Sequence, residues 1–388
     1  MSAERRRMRG RVAIVGAGES DELGKLPHKS AFALHAEAAR NALADAGIAK
    51  SEVDGVFCAG LWMASETAEY MGIRPRYIDG TQIGGCSFIA QVEHAMAALE
   101  AGLCDVALIT HGESGRSRVG MPGTRFGADS IRMQFEHPFG LYGPPTGYAL
   151  AAARHMHEFG TTGEQLAELA VSTRKWAEVN PRAAMRDPLT VDEVLASRVV
   201  SWPLRLLDCC LVTDGGGAVV LTRADRARDL AKPPVWVLGT GECSSHVYVS
   251  QMPDFARWDA ARVAARLAFE MAGVTHADID VAEFYDAFTI VPVMGLEAAG
   301  FCKEGEGGAF VSGGRTAPGG AFPMNTNGGG LSYTHTGMYG MFTLVEAVRQ
   351  LRAECGPRQV ADAKTAICHG LGGMFSAAAT LICGTEVP

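Results

Sequence analysis

The sequence predicts an α/β fold built from two related halves. Three observations carry that prediction. Apolar strands alternate with amphipathic helices along most of the chain, one helix–loop–strand unit occurs twice, and a stretch rich in glycine and proline interrupts the first half. With 388 residues, 47% of them hydrophobic, the chain is long enough for two domains of ordinary size or one large fused unit. We divide it into residues 1–230 and 231–388.

In the first half, strands are expected near 11–16, 53–59, 104–111 and 209–222; in the second, near 234–240, 279–285, 364–369 and 377–383. Helices between them imply mostly parallel sheets covered on their faces. The repeat is read from Ala38–Asp54 and Ala264–Asp280, which align without a gap. Each is an amphipathic helix ended by a glycine, Gly47 or Gly273, at the position that favours a left-handed residue. A second pair follows in the same order: helices around Val92-Glu93 and Val345-Glu346 lead into the strands Val106–Thr110 and Lys364–Cys368, and each strand ends in His-Gly (His111-Gly112, His369-Gly370). Between 113 and 207 the pattern gives way to loops with helices around 147–159 and 164–179. This segment is read as an insertion, of the kind that forms lids or ligand-binding elements.

Composition narrows the function classes. A net charge of −8 argues against nucleic acid as the main ligand. The basic segment Met1–Gly10 precedes an apolar run too short for a signal peptide, and no run approaches the ~20 apolar residues of a membrane span, so the cytoplasm is the expected compartment. Ten cysteines without a CxxC pair fit reduced thiols better than disulfides or a zinc site, and the adjacent Cys209 and Cys210 read as buried small hydrophobes.

Four segments carry candidate chemistry. Cys86 follows Gly84-Gly85 and precedes an apolar helix running to about Ala101, a position where the helix end favours a thiolate; an inert buried cysteine is the competing reading. His335 sits in the glycine-rich loop Asn325–Gly340 and is placed to deprotonate a thiol, or else makes a structural hydrogen bond. Cys368 and His369 end a strand, where either could move a proton, and the Gly370 amide could serve an oxyanion. Tyr285 and Asp286 stand where another strand meets a loop, as active-site groups or as a satisfied buried pair. The Gly16-Ala-Gly18 run after the first strand has Asp21 at the third glycine position and is not read as a dinucleotide site.

Taken in order, Cys86, Tyr285-Asp-Ala-Phe288, His335 and Cys368-His-Gly370 resemble the four catalytic loops of the thiolase family, and the resemblance spans nearly the whole chain. Glu304–Val311 and Gly337–Gly340 look most like the sterol-carrier-protein-type and archaeal-type bacterial thiolases. The resemblance implies a five-layer αβαβα fold, a homodimer, acyl-CoA as substrate with coenzyme A as the thiol partner, and no permanently bound metal or redox cofactor. Carried over, Cys86 would be acylated, His335 would activate it, Cys368 would be the acid/base, and the Cys86 and Gly370 amides would form an oxyanion hole. The insertion 113–207 would help hold coenzyme A. The chain departs from the pattern at Phe88, Thr336, Tyr285 and Ala287; the thiol lost at Ala287 moves the acid/base role onto Cys368, His369 or Tyr285, and Phe88 and Tyr285 are expected to alter the pocket. The leading expectation is therefore a thiolase acting on an unusual or aromatic β-ketoacyl-CoA. The alternatives are a retro-aldolase of steroid or acyl side chains using Tyr285, Tyr333 or Tyr339, and a subunit active only with a small zinc-ribbon/OB-fold partner.

Overall fold

The computed structural model describes residues 3–60, 64–120 and 127–387. Met1 and Ser2 of the basic N-terminal segment, and 121–126 of the expected insertion, lie outside these described residues. Nine strands form the main sheet: β1 (Val12–Glu19), β2 (Gly55–Cys58), β3 (Tyr77–Asp79), β4 (Val106–Ser114), β5 (Asp214–Arg223), β6 (Val235–Ser244), β7 (Val281–Phe284), β8 (Thr365–Gly372) and β9 (Ala377–Gly384). The helices that organise it are α1 (Ala31–Ala46), α2 (Ser87–Glu100), α3 (Pro144–Phe159), α4 (Gly163–Glu178), α5 (Asp259–Ala272), α6 (Ile290–Ala298) and α7 (Gly340–Leu351).

The strand order is β3-β2-β4-β5-β1-β6-β9-β8-β7. Read outward from the centre, β1-β5-β4-β2 and β6-β9-β8-β7 are the same arrangement, so the sequence repeat is a structural one. The halves are joined by only two residue pairs between β1 and β6, Ala13 with Trp236 and Ile14 with Val235. Helix α2 touches β2 and β4 of one half and β8 and β9 of the other. In a flat sheet β2 and β8 would lie six strands, about 29 Å, apart, beyond the ~10–12 Å width of one helix. The sheet therefore folds over at the β1–β6 join, with α2 and α7 packed together between its halves. Helices α1 and α5 cover the outer faces, giving five layers: helix, sheet, helices, sheet, helix.

Strand alternation sorts the core accordingly. Val12 and Ile14 face the middle layer, Ala13 and Val15 the outer one. The Gly16-Ala-Gly18 run has a packing role: a Cβ at either glycine would strike the α1 backbone around Ala42. Gly239 and Gly241 in β6 do the same against α5 at Ala268 and Ala264. The helix ends behave as read from the sequence, with Gly47 at φ 68° and Gly273 at φ 67°.

The sheet is mixed, which corrects the expectation of mostly parallel pairing. Only β2–β3, β2–β4 and β7–β8 are parallel. The short turn 373–376 between β8 and β9 cannot make a crossover and forces an antiparallel hairpin. The equivalent pair β4–β5 is also antiparallel, with Ser114 opposite Asp214, so the segment 115–213 leaves and re-enters the sheet at one point. It is a greatly enlarged hairpin loop carrying α3 and α4. Residues 209–213, expected as strand, instead form an irregular segment whose amides at Cys210, Leu211 and Thr213 donate to the carbonyls of Ala287, Gly330 and His335. Among the described residues no helix is long and apolar enough to cross a membrane.

Candidate active site

A cavity of about 660 Å³ lies where β4, β7 and β8 end beneath the base of the 115–213 excursion. Asp214 secures that base: its carboxylate accepts hydrogen bonds from the amides of Leu26 (2.7 Å), Arg116 (2.8 Å) and Ser117 (2.8 Å). Tyr148, Leu206, Leu211, Phe288, Met338 and Met374 give the cavity an apolar wall, and Arg118, Arg132 and Arg198 contribute cations.

Of the five expected catalytic side chains, Tyr285 and His335 face this cavity. Tyr285 follows β7, and its phenol oxygen lies 3.0 Å from His335 Nε2. That oxygen also accepts the Tyr339 amide hydrogen at 3.0 Å, so its own proton is directed at the imidazole. His335 is held through its backbone: its amide donates to Thr213 Oγ1 (2.9 Å), and its carbonyl accepts from the Thr213 amide (3.0 Å). Burial pushes the imidazole down to about 4 and the Tyr285 phenol well above its ordinary value. The pair therefore rests as a neutral tyrosine donating to a neutral histidine.

The loop bearing His335 is supported by Asp286, which accepts from the Gly330 amide at 2.6 Å and the Leu331 amide at 3.3 Å. These residues belong to a single π-helical turn, Gly329–Tyr333. Burial raises the Asp286 carboxyl to about 7 against the pull of those amides. Asp286 is thus the satisfied buried partner, while its neighbour Tyr285 faces the cavity. Thr336, where the family pattern has proline, meets His111 Nε2 at 2.7 Å.

Cys86 is fully buried at the start of α2 and does not line the cavity. Its thiol points back to the Ile83 carbonyl, 3.8 Å away, and packs on Gly370 and Gly372 of β8, where any Cβ would strike it. Burial drives its pKa up, Glu242 adds to the rise, and the local backbone hydrogen bond opposes it without winning. The expected helix-end activation is therefore outweighed by desolvation. Cys368 points from β8 into the middle layer, its thiol 3.4 Å from the Thr343 carbonyl. His369, on the opposite face of the strand, bonds Thr380 Oγ1 at 2.8 Å and packs between Trp258 and Phe284, with burial lowering it to about 3. Gly370 lies within β8, opposite Ala379. The structure thus leaves Cys86, Cys368 and His369 outside the cavity.

Other expectations also shift. Phe88 faces His111 in the middle layer, with ring centroids 4.8 Å apart, and does not shape the pocket. Cys209 and Cys210, expected to be buried, are half-buried cavity residues. Tyr333 and Tyr339 are fully buried, bonded to Glu19 (2.6 Å) and Asn327 (2.7 Å), and only Tyr285 of the three tyrosines reaches the cavity.

Sequence reasoning missed Tyr148 and Glu113. Tyr148 stacks on Phe288 with centroids 4.5 Å apart and donates to the Gly373 carbonyl. Glu113 is the penultimate residue of β4, directly after His111-Gly112. Its counterpart in the repeat, after His369-Gly370, is Leu371, also a cavity residue. A carboxylate where the repeat carries leucine was the available signal.

Residues 241–385 match the family model described as "Thiolase C-terminal domain-like". An acetyl-CoA acetyltransferase of Methanothermobacter thermautotrophicus is 34% identical over 381 residues, covering 96% of this chain and 98% of that one. A 17-hydroxy-3-oxo-4-pregnene-20-carboxyl-CoA lyase of Mycobacterium tuberculosis is 36% identical over 357 residues, covering 88% and 92%. A solved structure described as an "Ltp2-ChsH2(DUF35) aldolase" superposes with a TM-score of 0.89 at 31% identity, covering 97% of this chain and 98% of its own.

Proposed function

The chain belongs to the thiolase superfamily, as an enzyme of the sterol-carrier-protein type, and from that premise we propose that it cleaves a β-hydroxyacyl-CoA by a retro-aldol reaction. Its relatives include both thiolase-type acyl transferases and carbon–carbon lyases, so the choice between these chemistries rests on the site. The observation that carries the reading is the Tyr285–His335 pair facing the cavity while the Cys86 thiol is sealed beneath it.

In the proposed step the substrate β-hydroxyl gives its proton to the Tyr285 oxygen, and Tyr285 passes its own proton to His335 Nε2. The oxygen electrons form a ketone, the bond between the α- and β-carbons breaks, and its electron pair enters the thioester as an enolate. The Tyr339 amide stabilises the negative charge that develops on the tyrosine oxygen during this relay. The low pKa of His335 keeps it unprotonated near neutrality and able to accept. The wide apolar cavity favours a bulky acyl chain, and the steroid carboxyl-CoA lyase among the relatives supports that class. Arg118, Arg132 and Arg198 offer charges suited to the phosphates of coenzyme A.

The test compares Tyr285→Phe with Cys86→Ala on a panel of β-hydroxyacyl-CoA thioesters, following the released ketone and acyl-CoA. Cleavage should fall ~10²–10⁴-fold in Tyr285→Phe and survive in Cys86→Ala. Loss in Cys86→Ala, together with an acyl adduct on wild-type Cys86 by intact mass, would return the thiolase mechanism to first place.

We also propose assembly as a homodimer that binds a small zinc-ribbon/OB-fold partner. The two-component description of the aldolase structure supports the partner, as do the exposed side chains of Phe139, Tyr142 and Trp202 on the excursion. Co-expression followed by size-exclusion chromatography tests it.

A further inference from the structure

Breaking the bond leaves an enolate whose α-carbon must be protonated, and neither Cys86 nor Cys368 reaches the cavity to do so. We propose that Glu113 is the acid that delivers this proton, and in the reverse direction the base that removes it. The inference rests on the acyl-CoA reading above and would serve a retro-aldol or a Claisen reaction equally, since both pass through a thioester enolate.

The geometry is specific. Glu113 stands at the cavity end of β4, and its carboxyl lies against Gly337 of the loop that carries His335. Gly337 has φ +135°, and a Cβ there would fall 2.6 Å from Glu113 Oε1. The loop thus leaves an opening that the carboxyl occupies. No hydrogen bond or ion pair ties that carboxyl among the described residues, unlike Asp286 and Asp214, which are capped by amides. Its charge is felt by Tyr285, so the two groups border one space. The other ionisable groups lining the cavity are Tyr285, His335, Tyr148, Cys209 and Cys210, with Arg118, Arg132 and Arg198 as its cations; of these, Arg118 acts on the Glu113 charge. Burial, opposed by Arg118, raises the carboxyl to about 7, so both of its forms exist near neutrality.

The step balances. As the α–β bond breaks, its electrons form the enolate; the enolate carbon then takes the Glu113 proton, leaving a carboxylate and a saturated acyl-CoA. The proton held by His335 returns to Glu113 through solvent in the cavity, restoring both groups.

The experiment is deuterium wash-in at the α-carbon of acetyl-CoA and butyryl-CoA, read by mass spectrometry, which requires no aldol substrate. Wild type should exchange, at a rate rising with pH through about 7, where Glu113 becomes the base. Over the same interval β-hydroxyacyl-CoA cleavage should decline as the acid form is lost. Glu113→Gln should exchange about 100-fold or more slowly without that pH limb, while acyl-CoA binding by calorimetry and thermal unfolding stay near wild type. Glu113→Asp should recover part of the rate. Wild-type exchange in Glu113→Gln, or no exchange in wild type, overturns the assignment. Glu113-dependent exchange without cleavage of any β-hydroxyacyl-CoA keeps it and removes the retro-aldol reading instead.

Discussion

Gly85→Ala adds one methyl group to the wall behind Tyr285 and removes no functional group. A Cβ at that position would stand 2.6 Å from both the ring Cζ and the phenol oxygen. Ordinary carbon contacts are ~3.5–4.0 Å, so the ring must retreat by about 1 Å. That shift acts directly on the 3.0 Å contact with His335 and the 3.0 Å bond from the Tyr339 amide. A displacement of this size at reacting groups costs on the order of 100-fold in rate, and overpacking a filled site costs ~1–3 kcal/mol of stability. Steady-state kinetics on the cleaved thioester should show the loss in kcat, with calorimetric acyl-CoA binding changed far less. Chemical denaturation reads the stability cost. A variant with wild-type kcat would refute the reasoning, because it would mean that the Tyr285 hydroxyl does not act from the position it occupies here.

Two buried carboxylates give further expectations. Asp286→Asn leaves one of the Gly330 and Leu331 amides without its acceptor. It should cost ~1–3 kcal/mol in denaturant unfolding and lower kcat at least tenfold by loosening the His335 loop. Glu19 is buried, which raises its pKa, but Arg349, Arg182 and Tyr333 together bring it below its ordinary value. Its contribution is therefore complete above about 4.5 and lost as pH falls through the depressed folded value. Glu19→Gln should remove that part of the acid unfolding limb and cost ~1–3 kcal/mol near neutrality, because the partly exposed Arg349 and Arg182 lose their buried counter-charge. An unchanged acid limb in calorimetric scans would show that this cluster does not couple to folding.

Much of the fold was written in local pattern. Apolar periodicity located eight of the nine strands of the main sheet, the omission there being the three-residue edge strand β3, and the glycines closing α1 and α5 disclosed the repeat. The four segments named as chemical do converge at one end of the molecule, since each lies at a strand end or helix start that the topology brings there. Their order along the chain was enough to indicate the superfamily.

Tertiary packing decided which side chains can react. Strand residues alternate between faces, and which face looks onto a cavity depends on what covers each. Cys368 and His369 are adjacent in β8, yet one enters the middle layer and the other an aromatic cluster. Cys86 satisfies the local description of an activated thiol, but Gly370 and Gly372, far away in sequence, close over it and deny the thiolate solvation. Glu113 carried no motif, and it becomes a candidate acid because a glycine 224 positions later leaves room for its carboxyl at the cavity wall. A sequence pattern specifies backbone form and residue type locally; solvation and proximity, which set reactivity, are properties of the assembled neighbours.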